Sequence, residues 1–84
     1  MKLTLSEARK IADRYAMVGG SAYMYLELEC VRPSTFLEGY WDVGFKVKDM
    51  EGNEVDGPLL MAIDDNTGII SSIDEVIMKF YQRG

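Results

Sequence analysis

The sequence predicts a two-layer α+β domain in which two helices pack on one face of a four-stranded antiparallel sheet. Apolar residues recur at helical spacing near both ends of the chain, and the segments between them alternate between apolar and polar residues. With 84 residues, 48% of them hydrophobic and 27% charged, the chain has the composition of a single globular domain, residues 1–84. The predicted order of elements is α-β-β-β-β-α.

The first helix is predicted over residues 5–18, where apolar side chains recur at intervals of three and four. Thr4 and Glu7 form the pattern of a capping box, in which each side chain accepts a hydrogen bond from the other residue's backbone N–H. Gly19 and Gly20 follow. Because glycine readily adopts the left-handed conformation that ends many helices, we expect the helix to stop at this pair.

Alternation predicts the first two strands over residues 21–32 and 40–49. Parity places Cys30 on the buried face, where a free cysteine behaves as a small hydrophobic residue. Between these strands, Phe36 or Leu37 is expected to fold back over the core. The sheet face opposite the helices is expected to be open to solvent, and it would display Tyr23, Tyr25, Glu27, Glu29, Tyr40, Asp42, Lys46 and Lys48.

The remaining elements complete the sheet and add the second helix. A third strand is predicted over residues 59–63 and a short fourth strand over residues 69–71, joined by a turn in which Gly68 has a positive φ. Ser72 and Glu75 have the spacing of a second capping box, and an apolar stripe at helical spacing follows them.

The acidic stretch over residues 64–68 raises the question of a metal site. Aligned with a calcium loop, Asp64 takes the first ligand position and Glu75 the twelfth, but glycine falls one position early and a strand precedes the loop. Asp and Asn side chains also cap tight turns. We therefore expect a structural turn, and the alternative is a weak divalent-cation or small-ligand site formed by Asp64, Asp65, Asn66, Asp74 and Glu75.

Composition argues against several classes of function. The chain has no histidine and one cysteine, which removes histidine-dependent catalysis, Cys/His zinc sites and an internal disulfide. Nine Lys and Arg against fourteen Asp and Glu give a net charge of −5, which disfavours nucleic-acid binding. No segment has the character of a signal peptide or a bilayer span, so we expect a cytoplasmic protein without membrane attachment. No catalytic residue and no cofactor is predicted.

We expect a protein-binding or regulatory module rather than an enzyme. Large aromatic side chains on an uncovered sheet face are typical of an interface, and the carboxylates beside them fit a basic partner. For the tyrosines themselves, the favoured interpretation is cross-strand packing that only stabilises the sheet, with Tyr23 or Tyr25 beside Tyr40, and an interface is the alternative. An uncovered face or edge fits either a monomer or a weak homodimer. The predicted partner-binding residues are Tyr23, Tyr25, Glu27, Glu29, Tyr40 and Asp42.

Three short motifs form a recognisable combination. Glu7, Ala8, Ile11 and Ala12 give the helical pattern E-A-x-x-I-A, Trp41 and Val43 place an aromatic residue in a strand, and Asp64, Thr67 and Gly68 give a D-x-x-T-G hairpin. The combination resembles PepSY-like modules and the related small immunity proteins. That resemblance implies an α+β fold with an inhibitory or binding role. Such modules are often secreted or tethered to membranes, whereas this chain shows no signal segment and adds a second helix. In size and acidic balance the chain also resembles small single-domain α+β proteins of archaea and bacteria.

Overall fold

Six elements follow one another in the order that the sequence predicts. The structure is a computed structural model that describes residues 1–82. The strands form one antiparallel sheet in the order β1-β2-β3-β4, so the α+β class and the single sheet are confirmed. Within residues 1–82, no helix is long and apolar enough to cross a membrane. The elements are α1 (Leu5–Val18), β1 (Met24–Pro33), β2 (Tyr40–Asp49), β3 (Leu59–Asp64), β4 (Ile70–Ser72) and α2 (Ile73–Gln82).

Helix α1 begins where the capping box predicts. Glu7 N donates to Thr4 Oγ1 at 3.1 Å, and Thr4 N donates to Glu7 Oε1 at 2.9 Å. The helix ends at Gly19 for a different reason from the one expected, because the φ of Gly19 is −84°, which any residue adopts. A Cβ at Gly19 would lie 2.8 Å from Leu26 Cδ1 and 3.0 Å from Tyr15 O. A side chain at this position would therefore require Leu26 to move and would lie close to the backbone of Tyr15.

The larger core lies between α1 and one face of the sheet, which we call the inner face. Ala8 and Ala12 are fully buried, and their small side chains let the helix approach the strands. Phe45 is also fully buried, with its ring centroid 5.6 Å from that of Tyr15. The buried residues of this core are Ala8, Ala12, Val31, Trp41, Val43, Phe45, Met61 and Ile63.

Helix α2 packs on the opposite face of the sheet, the outer face, so the prediction that both helices share one face is wrong. Val76 of α2 is buried with Leu37 and Ala62 in a second, smaller core. Ala62 lies between Met61 and Ile63 in β3. Because side chains alternate along a strand, Ala62 points away from α1, and α2 contacts the sheet from that side.

The composition of β3 explains this arrangement. Residues 59–63 read LLMAI, an apolar run without alternation, which is typical of a strand covered on both faces. Helix α1 covers Met61 and Ile63, whereas α2 and the loop after β1 cover Ala62. In that loop Leu37 is the residue that folds back, with 6% of its surface exposed, while Phe36 is 62% exposed.

A bulge in β1 changes which residues face the inner core. The pairing register shifts between Leu28 and Cys30, and Cys30 pairs with Gly44, so Glu29 is an extra residue in β1. The extra residue reverses the alternation. Val31 is buried in consequence, and Cys30 is exposed rather than buried as parity predicts.

Candidate functional site

The outer face of the sheet is only partly covered. Helix α2 lies mainly over β3 and β4 and reaches Tyr40 of β2, and most of the outer face of β1 and β2 carries no helix in residues 1–82. We call this uncovered surface the open half-face. Its side chains are Tyr25, Glu27, Glu29, Cys30 and Arg32 from β1, Asp42, Lys46 and Lys48 from β2, and Leu60 from β3.

Four of the six predicted partner-binding residues share the open half-face. Tyr40 lies on the same side of the sheet but beside α2, where its ring packs edge-on against Phe80 with centroids 6.3 Å apart. Tyr23 precedes β1 and is 80% exposed. The structure places Tyr25, Glu27, Glu29 and Asp42 on one face, with Tyr25 opposite Lys48 at one end and Asp42 opposite Arg32 towards the other.

Several charges near Tyr25 are already paired within the protein. Lys48 Nζ lies 2.8 Å from Glu27 Oε2, and Lys46 Nζ lies 3.7 Å from Glu54 Oε1. The hydrogen bond between Lys48 and Glu27 lowers the pKa of Glu27 below its usual value and raises the pKa of Lys48. Because each of these groups has a counter-ion, a partner gains little electrostatic energy by contacting it.

Asp42 lacks such a close partner. The residue is 9% exposed and lies in β2 on the outer face. Its nearest cation is Arg32, whose Nε is 4.0 Å from Asp42 Oδ2 and whose side chain is 71% exposed. Asp42 Oδ1 accepts no hydrogen bond from residues 1–82. A buried carboxylate oxygen without a donor is energetically unfavourable, so this group is able to gain free energy from a ligand that donates to it.

Asp42 lines a pocket of about 130 Å³ on the open half-face, which we call the Asp42 pocket. Phe36 and Leu60 form an apolar rim and are 62% and 53% exposed. Gly44 contributes no side chain, and a Cβ there would lie 3.1 Å from Cys30 Sγ. The full lining consists of Cys30, Arg32, Phe36, Asp42, Val43, Gly44, Leu60 and Ile73.

Only Asp42 among these lining residues was predicted to be functional. Two features of the sequence indicate other residues that line this pocket. A glycine inside a strand marks a bulge or a close approach, as Gly44 does opposite the β1 bulge. Consecutive apolar residues at Leu59 and Leu60 put an apolar side chain on each face of β3. Phe36 carries no such signal, because its position depends on the path of a loop.

The acidic hairpin forms a tight turn. Gly68 N donates to Asp64 O at 2.7 Å, and Gly68 has the predicted positive φ, 73°. The side chain of Asp64 also acts locally, since its Oδ1 accepts from Asn66 N at 2.8 Å. These contacts account for two of the residues that the cation alternative requires.

Asp65, the next residue, holds the N-terminal segment against the sheet. Its carboxylate is buried and accepts from Lys2 N at 2.5 Å, from Leu3 N at 2.9 Å and from Trp41 Nε1 at 3.0 Å. Hydrogen bonds to a carboxylate favour its ionised form. These donors, led by the backbone N–H of Lys2, lower the pKa of Asp65 from 3.8 to about 2.

The residues of the alternative cation site do not converge on one point. Asp65 is directed towards the N-terminal segment, and Asp74 and Glu75 lie in the first turn of α2. Glu75 N donates to Ser72 Oγ at 3.2 Å, which is half of the predicted second capping box. In the part of the chain that the structure describes, no three Asp, Glu or Cys side chains are grouped closely enough to hold a metal ion.

Comparison with known proteins finds no similar protein, so the proposed function is based on the geometry described above. No protein-family model, no curated protein and no solved structure matches the chain. The resemblance to PepSY-like modules therefore stays an expectation from short motifs.

Proposed function

We propose that this chain is a non-catalytic protein-binding module that docks a partner with basic side chains on the open half-face. One observation carries the proposal: exposed apolar side chains lie beside a buried, incompletely paired carboxylate on a sheet surface that the described helices leave largely open, with Ile73 of α2 at its edge. Exposed apolar groups that cluster next to specific polar groups mark interaction sites on small soluble domains.

The charge of the chain supports a basic partner. The net charge is −5, so the field of the molecule attracts cationic surfaces and repels the phosphates of nucleic acids. In the described part of the chain, the one cationic group within 4.0 Å of the Asp42 carboxylate is the exposed Arg32. A cationic side chain from a partner would therefore meet a carboxylate that its own protein satisfies poorly.

The residue types of the chain support a binding role over catalysis. The sequence has no histidine, the commonest general base, and its single cysteine lies in the half-face beside apolar side chains. The apolar rim formed by Phe36 and Leu60 instead has the character of an interface, because aromatic and aliphatic groups there lose water when a partner docks.

The test is a quantitative affinity enrichment from the lysate of the host with three forms of the protein. The first is the wild type, the second carries Phe36→Ser and Leu60→Ser, and the third carries Ile69→Ser and Met78→Ser, two exposed apolar residues outside the half-face. Circular dichroism establishes that all three are folded. Any enriched protein is then purified and titrated against the same three forms.

We expect a partner with a basic segment that binds the wild type and the third form, and binds the second form at least tenfold more weakly. The loss corresponds to about 1.4 kcal/mol, the value of one tenfold change in affinity. Equal binding to all three forms, or loss of binding only with the third form, would show that the open half-face is not the docking surface.

A further inference from the structure

We infer that the Asp42 pocket is the specificity site of the open half-face and that it receives the guanidinium group of an arginine side chain from the partner. This inference rests on the proposed function and adds the chemistry that the partner must present. It depends on the carboxylate, on the size of the pocket and on its apolar walls.

The carboxylate of Asp42 determines the sign of the ligand. Asp42 is 9% exposed, and its Oδ1 accepts no hydrogen bond from residues 1–82. A cation with N–H donors supplies both the opposite charge and the missing hydrogen bond. Charge-assisted hydrogen bonds of this kind are the stronger ones in proteins.

The size of the pocket favours a side chain over a free metabolite. Its volume of about 130 Å³ is the share of about four water molecules. Pockets that bind drug-sized small molecules are larger, about 300 Å³ or more. The Asp42 pocket therefore fits the planar head of a side chain that is anchored elsewhere by the rest of its own protein.

The walls favour guanidinium over ammonium. Phe36, Leu60 and Ile73 supply apolar surface to the pocket that Asp42 also lines. A guanidinium group is planar and weakly hydrated, and it stacks on aromatic rings while donating to a carboxylate. An ammonium group is more strongly hydrated and loses more by entering such surroundings.

Arg32 occupies the position of an internal competitor. Its Nε lies 4.0 Å from Asp42 Oδ2, which is too far for a hydrogen bond, and its side chain is 71% exposed. If an incoming arginine replaces this loose contact, removal of Arg32 strengthens binding. If Asp42 and Arg32 form only a structural ion pair, removal of Arg32 cannot strengthen the binding of an arginine from outside.

The experiment titrates isotope-labelled full-length protein with Nα-acetyl-arginine methylamide while amide resonances are recorded. The matched control probe is the citrulline analogue, which keeps the shape of arginine without its charge, and a third probe is the lysine analogue. The variants are Asp42→Asn, Arg32→Ala and Asp13→Asn. Asp13 serves as the control position because it is an exposed aspartate on α1, away from the open half-face.

We expect the arginine probe to shift the amides of Asp42, Gly44 and Leu60 in a saturable way, at least tenfold more tightly than the citrulline probe and more tightly than the lysine probe. Arg32→Ala should tighten binding several-fold, Asp42→Asn should abolish it, and Asp13→Asn should leave it unchanged. Equal binding of arginine and citrulline, stronger binding of lysine, or weaker binding to Arg32→Ala would each overturn the inference. If Asp42→Asn does not fold, the comparison of the three probes and the Arg32→Ala variant still test whether the Asp42 pocket binds guanidinium.

The two proposals fail separately. A lysate partner that depends on Phe36 and Leu60, combined with no response to arginine, leaves the docking surface in place and removes the arginine site. A saturable arginine response without any partner that depends on the half-face removes the proposed function, because the pocket then binds a free guanidinium compound.

Discussion

At Asp65 a single carboxylate joins three parts of the chain. Its donors come from the N-terminal segment, through Lys2 and Leu3, and from β2, through Trp41, while Asp65 itself lies in the turn between β3 and β4. The backbone N–H of Asp65 also donates to Gly39 O at 2.9 Å. The second of the two consecutive aspartates is thus an anchor for the fold.

The pKa of Asp65 leads to a prediction about acid stability. Because the pKa in the folded protein, about 2, is lower than the usual 3.8, folding favours the ionised carboxylate. This stabilisation is complete above about pH 4 and is lost as the pH falls towards 2. We expect Asp65→Asn to lower the free energy of unfolding at neutral pH and to show a shallower loss of stability between about pH 4 and 2. Urea denaturation at a series of pH values measures both effects.

The control for this prediction is Asp13→Asn, which changes an exposed aspartate on α1. It should leave the pH profile of the wild type unchanged. If Asp65→Asn and the wild type lose stability in parallel as the pH falls, the carboxylate of Asp65 does not anchor the N-terminal segment.

Contacts between individual residues are predictable from the sequence when the partners are close in the chain. The bonds between Thr4 and Glu7 and the positive φ of Gly68 follow from local rules, and the structure confirms them. The partners of Asp65 in the N-terminal segment are 62 and 63 residues away. No local pattern contains them, so the sequence predicts a turn at Asp65 but not its anchoring role.

Among the elements, the bulge in β1 gives a test that uses the single cysteine of the chain. Because the bulge turns Cys30 to the exposed outer face, its thiol should react with an aromatic disulfide reagent in the folded protein at nearly the rate found in urea. The matched variant is Cys30→Ser with Val31→Cys, which moves the thiol to the buried inner face. Its thiol should react much more slowly. A protected Cys30 and a reactive residue 31 would show that strict alternation holds through β1.

The placement of α2 gives a second test at this scale. Ala62 is fully buried beneath α2 on the outer face. Ala62→Met should lower the free energy of unfolding by about 1–3 kcal/mol, because a larger side chain overpacks this contact. The exposed Ala22 provides the control, and Ala22→Met should change stability by less than about 0.5 kcal/mol. A neutral effect of Ala62→Met would place α2 away from the outer face.

The sequence predicts where helices and strands begin and end along the chain better than it predicts which face of the sheet each helix covers. Residues 5–18 and 40–49 are the predicted and the observed limits of α1 and β2. The apolar stripe of α2, with Val76 at its centre, shows that the helix has one apolar side but not which sheet face it covers. That information lies in β3, whose apolar residues on both faces require two covering layers.

In the whole molecule, one sheet supports two cores of unequal size. Among residues 1–82, the inner core includes eight buried residues from α1 and three strands, whereas the outer core includes Leu37, Ala62 and Val76. A domain of this length has a total stability of about 4–13 kcal/mol. Because α2 contacts the sheet through the smaller core, we expect it to open in a partial unfolding step before the sheet does.

Two matched substitutions test this order of unfolding by amide hydrogen exchange. Val43 and Val76 are 1% and 2% exposed, so replacement of either residue by alanine removes the same buried atoms, at a cost of about 2 kcal/mol. Val76→Ala should increase exchange in α2 and leave α1 and β2 protected, because the inner core stays intact. Val43→Ala should increase exchange in every element, since both helices need the sheet that Val43 stabilises. Uniform changes in both variants would mean that the two cores unfold as one cooperative unit.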